Sequence, residues 1–244
     1  DCVFHAGGST NEEEPDVLRQ VNVTGTAGLV SAAEHSGSPR FVFVSSGVVG
    51  DVGSRGFYRD SKADAEAFVR NSNLDWVVLR PDFIYGTHDM KNTCRLLAQA
   101  ASGRAWKIWG SSDFQLQPVA LEDLAPCAVR AMTEPAAVGK TIYFGGPPIT
   151  YRAYAEAAFR VVGVAPKFRR VPLLPLMIWA RIQAWTGVGP RHRNCLSHRV
   201  LWWRNDHLQC TDLAKLHLGF DPRPYADGLA QAAMGDWWHE GADS

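Results

Sequence analysis

The feature that most restricts what this chain can fold into is a change of hydrophobic period repeated along its first half. Phe41-Val42-Phe43-Val44 and Trp76-Val77-Val78-Leu79 are apolar without interruption, as strands covered on both faces must be. Asp1–Ala6 reads as another buried strand running into the small-residue turn Gly7-Gly8-Ser9-Thr10. From Pro15 to about His35 the period changes, with Val17, Leu18, Val21, Leu29 and Val30 recurring at helical spacing. Ser36-Gly37-Ser38-Pro39 ends that helix, and a second helix is predicted from about Tyr58 to Arg70. Short buried strands alternating with helices of this length predict an α/β fold with a doubly wound parallel sheet.

Beyond Gly86 the alternation loosens. The pattern predicts helices at about 91–102, from Glu122-Asp123, and from the capping Thr150 to about Val162. Two more are predicted at Thr211–Leu218 and Ala226–Trp238, with strands near Lys107–Trp109 and at Thr141–Phe144. This second half reads as a smaller lobe. The 46% hydrophobic and 20% charged content of the 244 residues excludes a disordered chain. Lys+Arg 25 against Asp+Glu 25 leaves no net charge, which argues against general nucleic-acid binding. Five cysteines without a close pair indicate a reducing compartment, hence a cytoplasmic protein. No apolar run reaches the roughly 20 residues of a membrane span.

Two groups of polar residues stand at predicted strand ends, where open α/β sheets bind their ligands. Ser45-Ser46 follows the second strand, and Tyr58-Arg59-Asp60-Ser61-Lys62 opens the next helix. Tyr58 and Lys62, four apart, share a helix face. A free phenol has a pKa of about 10 and is a weak acid or base at neutral pH. A neighbouring ammonium favours the phenolate, and a serine at the strand end can hold a substrate oxygen. Such a set suits redox chemistry at an alcohol or ketone carbon.

The order of motifs resembles that of the extended short-chain dehydrogenase/reductase family, also called NAD-dependent epimerase/dehydratase. The resemblance runs through Asp1-Cys2-Val3-Phe4-His5-Ala6-Gly7, Asn22-Val23-Thr24-Gly25-Thr26 and Phe43-Val44-Ser45-Ser46-Gly47-Val48-Val49-Gly50. It continues through Tyr58–Glu66 and Leu79-Arg80-Pro81-Asp82-Phe83-Ile84-Tyr85-Gly86, with weaker likeness at Val119–Ala125 and Leu218–Pro222. It implies a Rossmann-like sheet with a C-terminal substrate lobe and NAD or NADP as cofactor. Residues 1–86 would be the remainder of the dinucleotide-binding domain and 87–244 mainly the substrate lobe, with some returning segments at about 107–145 completing the sheet.

By the same resemblance Tyr58 is the acid/base, and Lys62 orients the nicotinamide ribose and depresses the tyrosine pKa. Ser45, three residues before Val48, is the active-site serine, with Ser46 the second choice, and Asn22 is the supporting asparagine. Ala6, Gly7 and Gly8 let the backbone pass the cofactor, and Pro81 flanks the nicotinamide. A small-molecule substrate and a homodimer fit the family.

The chain also departs from the family pattern. Leu116 stands where the sugar-nucleotide epimerases carry a phosphate-holding arginine, which weakens a sugar-nucleotide substrate. The family's opening strand and Gly-x-x-Gly-x-x-Gly turn do not precede Asp1. The expectation is therefore an N-terminally incomplete sheet with an open apolar edge at Asp1–Ala6, and a 244-residue chain that by itself is inactive and binds NADH poorly. Two alternatives stay open. One is a non-catalytic NAD(P)H-binding accessory subunit similar to that of respiratory complex I, and the other is a sterol dehydrogenase-like enzyme. His192, Cys195, His198, His207 and Cys210 match no metal-site spacing, and nearby arginines oppose a cation, so no metal is expected. Val171–Trp185 reads as packing, with a membrane-surface helix the minority reading.

Overall fold

The computed structural model describes residues 1–12, 14–37, 39–51, 56–90, 92–110, 113–186, 205–235 and 237–238. They divide into two compact units, one of residues 1–82, 124–144 and 209–221, the other of 83–123, 145–208 and 222–244.

The first unit is built on strands β1 (Cys2–His5), β2 (Arg40–Val44), β3 (Asp75–Pro81) and β8 (Lys140–Phe144), all parallel, in the order β1-β2-β3-β8. Phe41, Val42, Phe43, Val77 and Val78 are fully buried, so the uninterrupted apolar runs reflect cover on both faces. On one face Phe41, Phe43 and Val78 pack with Val30, Ala33, Ala65 and Val69 of the crossover helices. β1 lies at an edge of the sheet and Phe4 is 41% exposed.

The helix expected over 15–35 is three pieces: α1 (Pro15–Leu18), a π-helical turn (Arg19–Thr24) and α2 (Gly25–His35). Such π turns are rare and gather at functional sites, and this one carries Asn22. The second crossover helix is α3 (Phe57–Arg70).

The second unit contains β4 (Ile84–Tyr85) paired with β7 (Val119–Ala120), β5 (Trp106–Trp109) paired with β10 (Phe168–Val171), and β6 (Gln115–Leu116) paired with β9 (Ile149–Thr150). Helices α4 (Thr93–Ala101) and α6 (Tyr151–Val161) bury Leu96, Leu97, Tyr154 and Phe159 in one core with Tyr225 and Leu229 of α9 (Tyr225–Ala232). Thr150 caps α6, its hydroxyl accepting from the Ala153 amide at 3.1 Å. The remaining helices are α5 (Leu121–Ala131), α7 (Leu173–Thr186) and α8 (Asp212–Leu218).

Within the stretch 107–145, β8 joins the sheet and residues 124–144 belong to the first unit, while β5, β6 and β7 pair inside the second. Residues 209–221, expected in the substrate lobe, belong to the first unit with α8. Among the described residues no helix is long and apolar enough to cross a membrane.

Candidate active site

Because the strands are parallel, His5, Val44 and Pro81 end β1, β2 and β3 at the same edge of the sheet, where ligands of such sheets bind. α3 places Tyr58 in its first turn and Lys62 one turn later.

Lys62 is buried. Its Nζ donates to the Val44 carbonyl at 3.0 Å and stands 4.9 Å from the centre of the Phe43 ring. Burial brings its pKa down to about 8, an effect that the Glu66 carboxylate partly offsets. His5 lies beneath, stacked on Phe43 with its Nε2 2.9 Å from the Thr26 hydroxyl. Burial, and then Lys62, hold the His5 pKa below its ordinary value.

Ser46 accepts from the Val48 amide at 3.5 Å and lies near enough to the Tyr58 phenol to influence its pKa. Burial holds the phenol above its ordinary pKa, Ser46 works against that shift and the Glu12 carboxylate adds to it. The depression by Lys62 that the resemblance implied is therefore absent: the ammonium is turned to the end of β2, and burial dominates.

Of the two serines, Ser46 is the one that acts on the Tyr58 pKa, and Ser45 is engaged elsewhere. Ser45 continues the β2 ladder, its amide donating to the Leu79 carbonyl at 2.8 Å, and its hydroxyl donates to Glu66 Oε1 at 2.6 Å. Glu66 is in turn clasped by Arg80, whose Nε reaches Oε1 at 2.8 Å and Nη2 reaches Oε2 at 2.6 Å. Arg70 adds a second bond to Oε2 at 2.6 Å. Arg80 Nη1 also donates to the Tyr143 hydroxyl.

Asn22 ties the loop after β1 to α3. Its Nδ2 donates to the Ser9 carbonyl and to the Ser61 hydroxyl, both at 2.9 Å, while Oδ1 accepts from the Ser9 amide at 2.7 Å. Ser61 passes the link on, donating to the Tyr58 carbonyl at 2.8 Å. Gly8 lies against this junction: a Cβ there would stand 3.0 Å from Asn22 Oδ1 and 3.2 Å from Lys62 Nζ. Ala6 and Gly7 are exposed after β1, and Pro81 is buried at the end of β3.

Two acidic residues escaped the reading of the sequence. Glu66 is one, although its place four residues after Lys62 puts it on the same helix face. Glu12, remote in sequence, caps α3, its carboxylate accepting from the amides of Phe57 at 3.1 Å and Tyr58 at 2.9 Å. A carboxylate suits a helix N-terminus by charge as well as by hydrogen bonding. The residue before the helix, Gly56, has φ +135 and offers no side chain to do this.

Leu116 is buried and pairs with Ile149. His192, Cys195 and His198 lie outside the described residues, among which no cluster suited to a metal ion is found.

Residues 1–135 match the family described as NAD(P)H-binding. A curated relative, UDP-glucose 4-epimerase of Vibrio cholerae, is 27% identical over a 148-residue alignment that covers 53% of this chain and 45% of that protein. The chain thus spans just under half the length of that relative. UDP-glucuronic acid 4-epimerase from Bacillus cereus, solved in complex with NAD, matches 98% of this chain and 74% of its own at 15% identity and a TM-score of 0.74. RMD from Pseudomonas aeruginosa, solved with NADPH, matches 98% of this chain and 82% of its own at 18% identity and a TM-score of 0.70. At identities this low the TM-scores show a shared Rossmann fold and nothing beyond it.

Proposed function

The chain belongs to the NAD(P)H-binding family, with the fold of the extended short-chain epimerases and dehydratases, and from that premise we propose that it serves a hydride transfer at an alcohol or ketone carbon. The observation that carries the reading is the convergence of Asn22, Ser46, Tyr58 and Lys62 at the ends of parallel strands β1 and β2.

The residues fit a nicotinamide cofactor. The backbone at Gly8 runs so close to Asn22 and Lys62 that a side chain would press on both, and Lys62 brings N–H donors beside that backbone, as a ribose hydroxyl requires. A bound nicotinamide supplies or accepts the hydride. Tyr58, held protonated by burial and by Glu12, gives its proton to the substrate oxygen as a carbonyl is reduced and recovers it in the reverse direction. Ser46, near Tyr58, fixes the position of that oxygen. Lys62, its Nζ at the Val44 carbonyl and beside Gly8, offers its N–H donors to the ribose, and Asn22 holds the loop and α3 in register through Ser9 and Ser61.

A neutral alcohol or ketone substrate is favoured over a sugar nucleotide, because Leu116 stands at the sequence position where the sugar-nucleotide epimerases carry a phosphate-holding arginine. The test is oxidation of NADH and NADPH by the protein over a panel of aldehydes and ketones. In the full-length protein, turnover by the wild type and a loss of about 10²–10⁴-fold in Tyr58→Phe are expected for removal of a general acid. Full turnover by Tyr58→Phe would refute the mechanism. Ser46→Ala is expected to lower kcat more than Ser45→Ala, and the opposite order would return the role to Ser45.

A further inference from the structure

We propose that the exposed basic and apolar side chains of β10 and of α7, which follows it in sequence, dock the protein onto an anionic lipid bilayer. Although the chain as a whole carries no net charge, between Glu156 and Asp206 it contains nine arginines and lysines and no aspartate or glutamate. The described part of this stretch presents the charge together with apolar side chains. Lys167, Arg169 and Arg170 are exposed at β10. One residue further on α7 begins, and Leu174, Ile178 and Trp179 are exposed by 66%, 53% and 54%.

Leu174 and Ile178 are one helical turn apart, and exposed Arg181 follows Ile178 by three residues, so all three lie along one side of α7. Singly exposed apolar residues are ordinary, whereas a contiguous group has a purpose. The mixture favours lipid. A helix lying in a bilayer interface buries leucine, isoleucine and tryptophan at the acyl boundary while arginine reaches to the headgroups. Nucleic acid would call for the cations without the aliphatic side chains. A second copy of the chain would bring the same uncompensated positive charge against itself. α7 spans 14 residues, so the attachment is to the surface. This proposal is independent of the hydride-transfer reading.

The experiment is co-sedimentation of the protein with phosphatidylcholine vesicles, with and without phosphatidylglycerol. Pelleting that requires phosphatidylglycerol and weakens with salt is expected. Arg169→Glu with Arg170→Glu should lower the partition coefficient at least about 30-fold, from roughly 5-fold per basic residue near an anionic surface. Trp179→Ser should lower it while leaving the salt dependence in place. All these side chains are exposed, so circular dichroism melts of the variants should match the wild type. Pelleting indifferent to phosphatidylglycerol would overturn the proposal. So would absence of pelleting, self-association abolished by Trp179→Ser, or retention on single-stranded RNA without vesicle binding.

Discussion

Glu66→Gln is the substitution on which the structure makes its sharpest demand. The side chains of Glu66 and Arg80 are 3% and 10% exposed, and the carboxylate also receives the Ser45 hydroxyl. Glutamine keeps the volume and one acceptor oxygen but leaves the Arg80 charge unpaired away from water. Breaking a buried pair by neutralising one partner costs about 3–5 kcal/mol. The Arg70 bond adds little, because that side chain is 39% exposed and exposed pairs contribute roughly 0–1 kcal/mol. With an acceptor retained, the lower end is expected, about 3 kcal/mol, or ~6–12 °C in Tm for a chain of this size.

Urea unfolding followed by circular dichroism measures the loss, and a double-mutant cycle assigns it. Arg80→Met in the Glu66→Gln background removes the stranded charge, so the double variant should be more stable than Glu66→Gln alone. A loss below about 1 kcal/mol, or additivity of the two substitutions, would refute the account of Glu66 as the anion that Arg80 requires. The same variant carries a second readout. Glu66 raises the Lys62 pKa against burial, so without it Lys62 should titrate below its present value of about 8. The charged and titratable groups around Lys62 are His5, Tyr58 and Glu66, and ¹³Cε-lysine NMR resolves the shift among the chain's six lysines.

Stability should rise with pH between about 8 and 10.5, because Lys62 titrates at the lower value in the fold and at the higher one when unfolded, so the unfolded chain binds the extra proton across that window. Lys62→Met should flatten the rise up to pH 10, above which the raised Tyr58 pKa pulls the other way; a rise that persists in the variant would point to another group. Glu12→Ala should remove the cap of α3 at a cost of about 1 kcal/mol and lower the Tyr58 pKa, since Glu12 raises it; an ultraviolet difference titration in which the phenol stays put would contradict that coupling. Gly8→Ala puts a methyl 3.0 Å from Asn22 Oδ1 and 3.2 Å from Lys62 Nζ, and should weaken NADPH affinity in a fluorescence titration more than it lowers Tm.

What the sequence discloses and what it conceals divide along physical lines. The parallel strands were legible because burial on both faces leaves no room for polar residues. The pairing of Tyr58 with Lys62 was legible because four residues bring side chains to one helix face. The π turn was not, since over six residues its period is too near that of an α-helix to register in the positions of Val17, Leu18 and Val21. The directions of the two serines turn on a different quantity. Counting back from Val48 measures distance along the chain, whereas side-chain direction at a strand end follows alternation. Phe41, Phe43 and Ser45 share one parity, and the first two pack with Ala65 and Val69 of α3. Ser45 therefore faces the helix that carries Glu66, and Ser46 is free to face elsewhere. The parity was in the sequence and could have been used. That Glu66 is the partner could not, because Arg80 inside an apolar strand demands a buried anion without naming it, and only the packing of α3 against β2 and β3 supplies which one.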